Sequence, residues 1–477
     1  VSGPHPLDRD TLSGSSPFAV SVASRALLSL ACAAALLPGA AVAGGYTIPV
    51  RGVRALSIGG AEIAGASGAS ALWSNPANLD ATEVSLEAAL IDLRARYQRE
   101  PGGVTVENQA DLKANPTLVG IYRLNDHFSF ALGAYAPWAG QLAFPEDGPQ
   151  RYAMVRNDAS LFLYIHAAMA VRIGDLRLGG GVQNVIADVQ QDVVLSAYTG
   201  LFGFAEDPEL DVASHFELSD PLTFTGNFGA AYDLGPVTLA ASVQLPFTVE
   251  GTAKFEQRLP TSVFFDNVEV VGDQATLSIP FPMAVRGGLS VRAHERVRLE
   301  AGFIWEDWSV QQRLRIEPQG MSLSGVPAIG EYKIGPAVLE KRMHDTVSVH
   351  LGADVEPVDG LHLRAGGLWE SSAFEDDTFS LGLPDDTKVA VCLGASWSFA
   401  VFRLDVGLSR IFQGERVVST SELRQVNPTN PAASILIGNG TYETGYWIGG
   451  LGFAWIPGSS EDLGPASRTL DVSTDVE

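Results

Sequence analysis

Covalent chemistry needs a nucleophile with a base beside it, or acids and imidazoles spaced to grip a metal. In this 477-residue chain His127, His166, His215, His294, His344, His350 and His362 are scattered. There is no Gly-x-Ser-x-Gly elbow, no His-Glu-x-x-His run and no Cys-x-x-Cys pair. No metal or other cofactor is expected. A serine triad assembled across strands stays open as a rival, which labelling by a serine-reactive probe would reveal. The remaining chemistry is non-covalent and apolar. Leu201, Phe202, Phe204 and Phe216 crowd one stretch, and Val263, Phe264 and Phe265 another. If these stretches are loops, such clusters either bind an apolar ligand or pack on each other.

The elements that would position them begin with a leader. Arg25 precedes an apolar run from Ala26 to Leu37, then Pro38-Gly39 and the small-residue site Ala41-Val42-Ala43. This is the pattern of a secretory signal, with Gly44 as the first mature residue. The run is too short for a membrane anchor. Val1 to about Val20 resemble no part of a signal, so the start is expected to be over-called. Cys32 sits within the apolar run and fits a lipoprotein site poorly. That leaves Cys392, which excludes a disulfide scaffold.

Hydrophobic residues make up 46% of the chain and charged ones 18%, with 50 glycines, yet no later stretch is apolar enough for a membrane helix. Such a chain can still span lipid if apolar residues occupy every second strand position. They do. Val389, Val391, Leu393, Ala395, Trp397 and Phe399 alternate with Lys388, Ala390, Cys392, Gly394, Ser396 and Ser398. The same period runs through 347–356, 402–409 and 285–292. Short connections at Asn125-Asp126, Gly174-Asp175, Leu234–Pro236, Ala293–Glu295, Pro357–Gly360 and around Ala400 alternate with long ones. The long ones lie near 99–115, 139–157, 192–218, 251–274, 317–342, 372–386 and 414–441. About fourteen strands result, with tight turns on one side and long loops on the other, as in outer-membrane barrels. Trp305, Trp308, Trp369, Trp447, Phe453 and Trp455 suit interfacial girdles. The net charge of −24 argues against nucleic acid and for acidic outer loops.

Gly44 to Leu79 carries the small-residue run Gly59-Gly60-Ala61-Glu62-Ile63-Ala64-Gly65 and the signature Asn75-Pro76-Ala77. Downstream come Leu277-Ser278-Ile279-Pro280-Phe281-Pro282, Trp308, Leu383-Pro384-Asp385-Asp386 and a Gly-rich aromatic last strand. From Gly44 to about Pro457 the chain resembles the FadL/TodX family of outer-membrane transporters of hydrophobic compounds. The resemblance implies an all-β fold: a 14-stranded antiparallel transmembrane β-barrel, monomeric, with an N-terminal hatch inside its lumen. Its cargo would be long-chain fatty acids or, in related members, aromatic hydrocarbons. These would be captured between extracellular loops facing lipopolysaccharide, then passed to a buried pocket near the hatch. Exit would be sideways, where the third strand is kinked.

On this reading residues 1–43 are the signal, 44–80 the hatch, 81–456 the barrel and 457–477 a disordered acidic tail on the periplasmic side. Tyr46 and Ile48 match the apolar tip that the family places in its buried pocket, and Asn75, Pro76 and Ala77 mark the hatch. The third strand, His127 to about Trp138, contains Gly133 and Pro137. Proline donates no ladder bond, so Pro137 marks either a lateral opening or the strand's end. Arg286, Arg292, Glu300, Glu306, His350, Asp354, Arg364, Lys388, Arg403 and Asp405 are expected to face the lumen. Most should pair with one another, and a few could meet a carboxylate headgroup. A general porin, distinguished by large steady ionic currents, and a purely structural surface protein, favoured only if no apolar ligand binds, are the other rivals.

Overall fold

The structure is a computed structural model describing residues 52–457 except 140, 199, 201, 202, 327–329, 426, 428 and 429. The signal, Tyr46, Ile48, Leu201, Phe202 and residues 458–477 fall outside the described residues. Among those described, no helix is long and apolar enough to cross a membrane.

Strands do the crossing. In chain order they are β1 (Glu83–Gln98), β2 (Lys113–Arg123), β3 (Phe128–Ala139), β4 (Leu161–Ile173) and β5 (Leu176–Ser196). Next come β6 (Asp211–Leu234), β7 (Val237–Gln244, resuming as Phe247–Arg258), β8 (Gln274–Phe281, resuming as Ala284–His294) and β9 (Val297–Glu306). The last are β10 (Thr346–Val358), β11 (Leu361–Glu370), β12 (Lys388–Phe399), β13 (Phe402–Val418) and β14 (Gly440–Trp455). Each pairs antiparallel with the next. β1 also pairs with β14 from Val84↔Trp455 to Gln98↔Thr441, so the fourteen-stranded sheet closes. Closure leaves no edge, the condition for a sheet in lipid. The breaks in β7 and β8 fall beside Pro246 and Pro282, residues that cannot donate to a ladder.

The two faces follow the sequence period. On β12, Val389, Val391, Leu393 and Trp397 are exposed, while Ala390, Cys392 and Ser396 are buried. On β13, Leu404, Val406 and Leu408 point out, and Arg403, Asp405 and Ser409 point in. The turns at Gly174 and Ala400 adopt positive φ, 61° and 50°; glycine does this freely, whereas alanine does so under strain. Trp308 departs from the girdle expectation. It is fully buried and donates its indole N–H to Glu306 Oε2 at 2.9 Å.

The loops at 192–218 and 251–274 are shorter than expected, because pairing continues into them. β5 runs to Ser196 and β6 begins at Asp211, with Leu195↔Val212 still in register. The 24 residues of β6 extend about 80 Å at roughly 3.3 Å each, far beyond the hydrocarbon core. Its exposed apolar residues, Leu222, Phe224, Phe228, Tyr232 and Leu234, are confined to the half nearer the short turns. The outer halves of these strands form a wall above the lipid.

Residues 52–79 run inside the closed sheet as two short helices, α1 (Val53–Ser57) and α2 (Ala69–Ser74), and a single 3-10 turn at Pro76–Asn78. Glycines of the strands admit them. A Cβ at Gly366 would lie 2.2 Å from the Ile58 carbonyl oxygen, and one at Gly179 would lie 2.3 Å from the Pro76 carbonyl carbon. Only glycine allows so close an approach of two backbones.

Candidate functional site

The inner segment is held by polar contacts to the wall. Asn75 Oδ1 accepts from the Ala77 amide at 3.1 Å, and Asn75 Nδ2 donates to the Ala230 carbonyl at 3.2 Å. Asn78 Nδ2 donates to the carbonyls of Ile63 and Ala64, both at 3.1 Å, while its Oδ1 accepts from Arg177 Nη1 at 2.7 Å. Asn227 Nδ2 donates to the Leu72 carbonyl at 2.9 Å. The Val53 amide donates to Glu87 Oε2 at 2.6 Å. Asn75-Pro76-Ala77 is thus a tight joint: Asn75 caps the turn, Pro76 starts it and Ala77 is buried.

Ion pairs fill the lumen toward the short-turn end. Arg403 donates to both oxygens of Glu83 at 3.0 and 2.8 Å and to Asp405 at 2.9 Å. Arg364 meets Asp354 at 3.0 Å. Within the inner segment Glu62 is buried, and its Oε1 has no hydrogen-bond partner among the described residues. Burial pushes its carboxyl above the ordinary range, against the pull of Arg54. Arg292 is exposed, unlike the other expected lumen arginines.

Toward the long-loop end lies a cavity of about 490 Å³. Its wall is apolar, including Phe162, Phe216, Phe255, Phe265, Phe281 and Leu277. Phe216 and Phe255 stack with ring centroids 5.8 Å apart. At its inward limit it meets Ile411, Tyr446 and Ile448, which also pack with Ala55 and Leu56 of α1. Lys388 and Asp385 line the same end, and Lys341 and Arg424 are its other charged lining residues.

From this wall a chain of rings leads to β3. Phe162 meets Phe281 at 5.1 Å, and Phe281 stacks on Phe247 at 4.7 Å. Phe247 meets Tyr164 at 6.1 Å, which stacks on Tyr135 at 5.7 Å. Trp73 of α2 packs edge-on to both tyrosines, under the Arg286 guanidinium. Just beyond Tyr135 the pairing of β3 with β4 shifts register, between Tyr135 and Trp138. The β2–β3 ladder spans Arg123↔Ser129 to Thr117↔Tyr135. Pro137 therefore sits at a bulge inside β3, and the strand continues past it. Gly133 lies in regular ladder, where a Cβ would come 2.6 Å from Leu72 Cδ2.

Of the expected capture residues, Phe216 and Phe265 line the cavity. Phe204 is exposed and is not among the lining residues. The Phe264 side chain, with Leu201, Phe202, Tyr46 and Ile48, lies outside the described residues. Sequence reasoning missed Phe162, Phe255 and Trp73 as wall and ladder residues. The inward parity of Phe162 and Phe255 on their strands was readable, but not their depth, and Trp73 lies on a helix where strand parity says nothing.

Residues 34–440 match the family described as outer membrane protein transport protein (OMPP1/FadL/TodX). The chain belongs to this family. It is an outer-membrane transporter of hydrophobic compounds, not an enzyme. The crystal structure of a Pseudomonas aeruginosa FadL homologue is similar to it, with TM-score 0.68 and 17% identity over 87% of this chain and 100% of that one. The Pseudomonas putida toluene transporter TodX superposes with TM-score 0.59 and 15% identity, over 86% and 99%. An outer membrane protein of Neisseria meningitidis serogroup B is 29% identical over 122 residues, 23% of this chain and 26% of that protein.

Proposed function

We propose that the protein admits hydrophobic small molecules passively from outside, through the apolar cavity and along the aromatic ladder to the bulge in β3. The observation that carries this is the cavity itself: an apolar chamber at the long-loop end, floored by residues that pack on α1. Lipopolysaccharide presents a hydrated, charged layer that slows apolar solutes, and a walled apolar chamber bypasses it. Residues 44–80 act as the hatch, with Asn75, Pro76 and Ala77 as the joint that seats it. Phe216 and Phe265 act in capture, with Leu201, Phe202, Phe204 and Phe264 in the surrounding loops and Tyr46 and Ile48 at the hatch tip. Pro137, with Gly133 below it, marks the lateral opening. No energy source beyond the ligand's gradient is invoked.

Two cargo classes have support. Aromatic hydrocarbons suit the phenylalanine-rich wall, and TodX is a toluene transporter. Long-chain fatty acids suit a carboxylate held by Lys341 and Arg424 with its chain along the wall. The test is accumulation of labelled toluene and labelled palmitate by outer-membrane vesicles with and without the protein. Faster uptake of either supports the proposal. Rates unchanged by the protein for both probes would end it.

A further inference from the structure

Three ionisable side chains meet at the inward end of the cavity. Lys388 Nζ donates to Asp385 Oδ1 at 2.5 Å and to Glu370 Oε1 at 3.0 Å. All three are more than nine-tenths buried. Lys388 and Asp385 line the cavity, with Glu370 behind them. β-Sheet register explains the meeting: Glu370 on β11 is directly opposite Lys388 on β12, and Asp385 precedes that strand by three residues. Among the described residues, the one cation at this depth of the cavity wall is therefore already shared between two carboxylates. The remaining lining cations, Lys341 and Arg424, belong to the long-loop segments above.

We propose that Lys388, Asp385 and Glu370 form a charge filter, so that what passes the cavity floor is an uncharged hydrophobe and not a carboxylate. This rests on the uptake reading above and narrows its substrate class. A carboxylate entering an apolar chamber loses its hydration and must recover that loss from a cation. Here the ammonium is already engaged by two carboxylates, so an incoming anion would have to displace one of them to be paired. An ester, an alcohol or an arene has no such demand. It gains from the same apolar wall without touching the ionic cluster. A fatty acid held by its head at the outer rim would have to give up that contact to move inward.

The comparison that tests this is palmitate against methyl palmitate, which share a chain and differ in charge. Protein-dependent uptake of each labelled compound is measured at pH 7.5 in outer-membrane vesicles carrying the full chain, against vesicles without it, because passage of the floor and not binding at the outer rim is in question. The wild-type protein should favour the ester by at least about tenfold. Glu370→Gln, and Glu370→Gln with Asp385→Asn, should lower the ester-to-acid ratio by about tenfold or more as the ammonium is released. Equal protein-dependent uptake of acid and ester by the wild type would overturn the filter, and that measurement needs no variant to fold. A ratio unmoved by both variants, each shown by heat-modifiable migration to be folded, would also overturn it. If the protein sped uptake of neither compound, the uptake reading would fail first and take the filter with it.

Discussion

At the scale of single residues, the stacked pair Phe216–Phe255 is the part of the cavity wall best placed to grip an aromatic ring. The two side chains come from β6 and β7 above the lipid-facing band, where the strands pair face to face as Phe255↔Phe216. Truncating Phe255 to alanine removes one face of that stack while leaving the ladder intact. The loss should be about 1–2 kcal/mol in binding of naphthalene, or roughly 5–30-fold in affinity. Titration calorimetry of the variant reads this directly, and an unchanged affinity would place the ligand elsewhere. Phe216 was visible in the sequence because it closes an apolar cluster. Phe255 was not, since a lone phenylalanine in Lys254-Phe255-Glu256 looks like any alternating strand position. The filter shows the same limit more strongly. Glu370, Asp385 and Lys388 are spread over nineteen positions of sequence, and only Lys388 stood out as an inward charge.

At the scale of elements, period two was enough to read the strands, because lipid outside and water inside impose opposite demands on neighbouring residues. Tight turns were legible for a similar reason, since Gly174 and Gly360 supply the positive φ that a short connection needs. The reading weakened where the lipid ends. Above that level the outer face of β5 and β6 becomes polar, alternation fades, and paired strand looks like loop. The inner segment was legible as a small-residue run and the Asn75-Pro76-Ala77 signature, but not the burial of the one acid within that run. Glu62 is buried there with its carboxyl raised above the ordinary value. A raised carboxyl favours the protonated, seated form. Its contribution is complete at pH below the ordinary carboxyl value of 4.5 and is lost as pH rises through the higher value it has when seated. Hydrogen exchange across residues 53–79 should therefore speed up as pH climbs from 5 toward 8, beyond the intrinsic base-catalysed increase. Glu62→Gln should flatten that excess and slow exchange at pH 8. If the variant and wild type kept parallel pH profiles, Glu62 would have no part in seating the segment.

At the scale of the whole molecule, a fourteen-stranded barrel is wide enough to conduct ions unless something fills it. The glycine content follows from that need. Strands of this length normally avoid glycine, yet Gly179, Gly352, Gly366, Gly394 and Gly407 all stand where the inner segment touches the wall. Seating can therefore be undone from the barrel side without altering the segment. Gly366→Val suits a strand by propensity, but its Cβ would collide with the Ile58 carbonyl carbon at 2.4 Å as well as its oxygen. Gly287→Val is the matched control, because a Cβ there meets nothing within 4 Å. In planar bilayers the wild-type protein and Gly287→Val should stay nearly silent, whereas Gly366→Val should carry a steady ionic current. Silence from a folded Gly366→Val protein would mean that residues 52–79 do not block the bore by resting on this wall. A large current from the wild type would restore the general-porin reading.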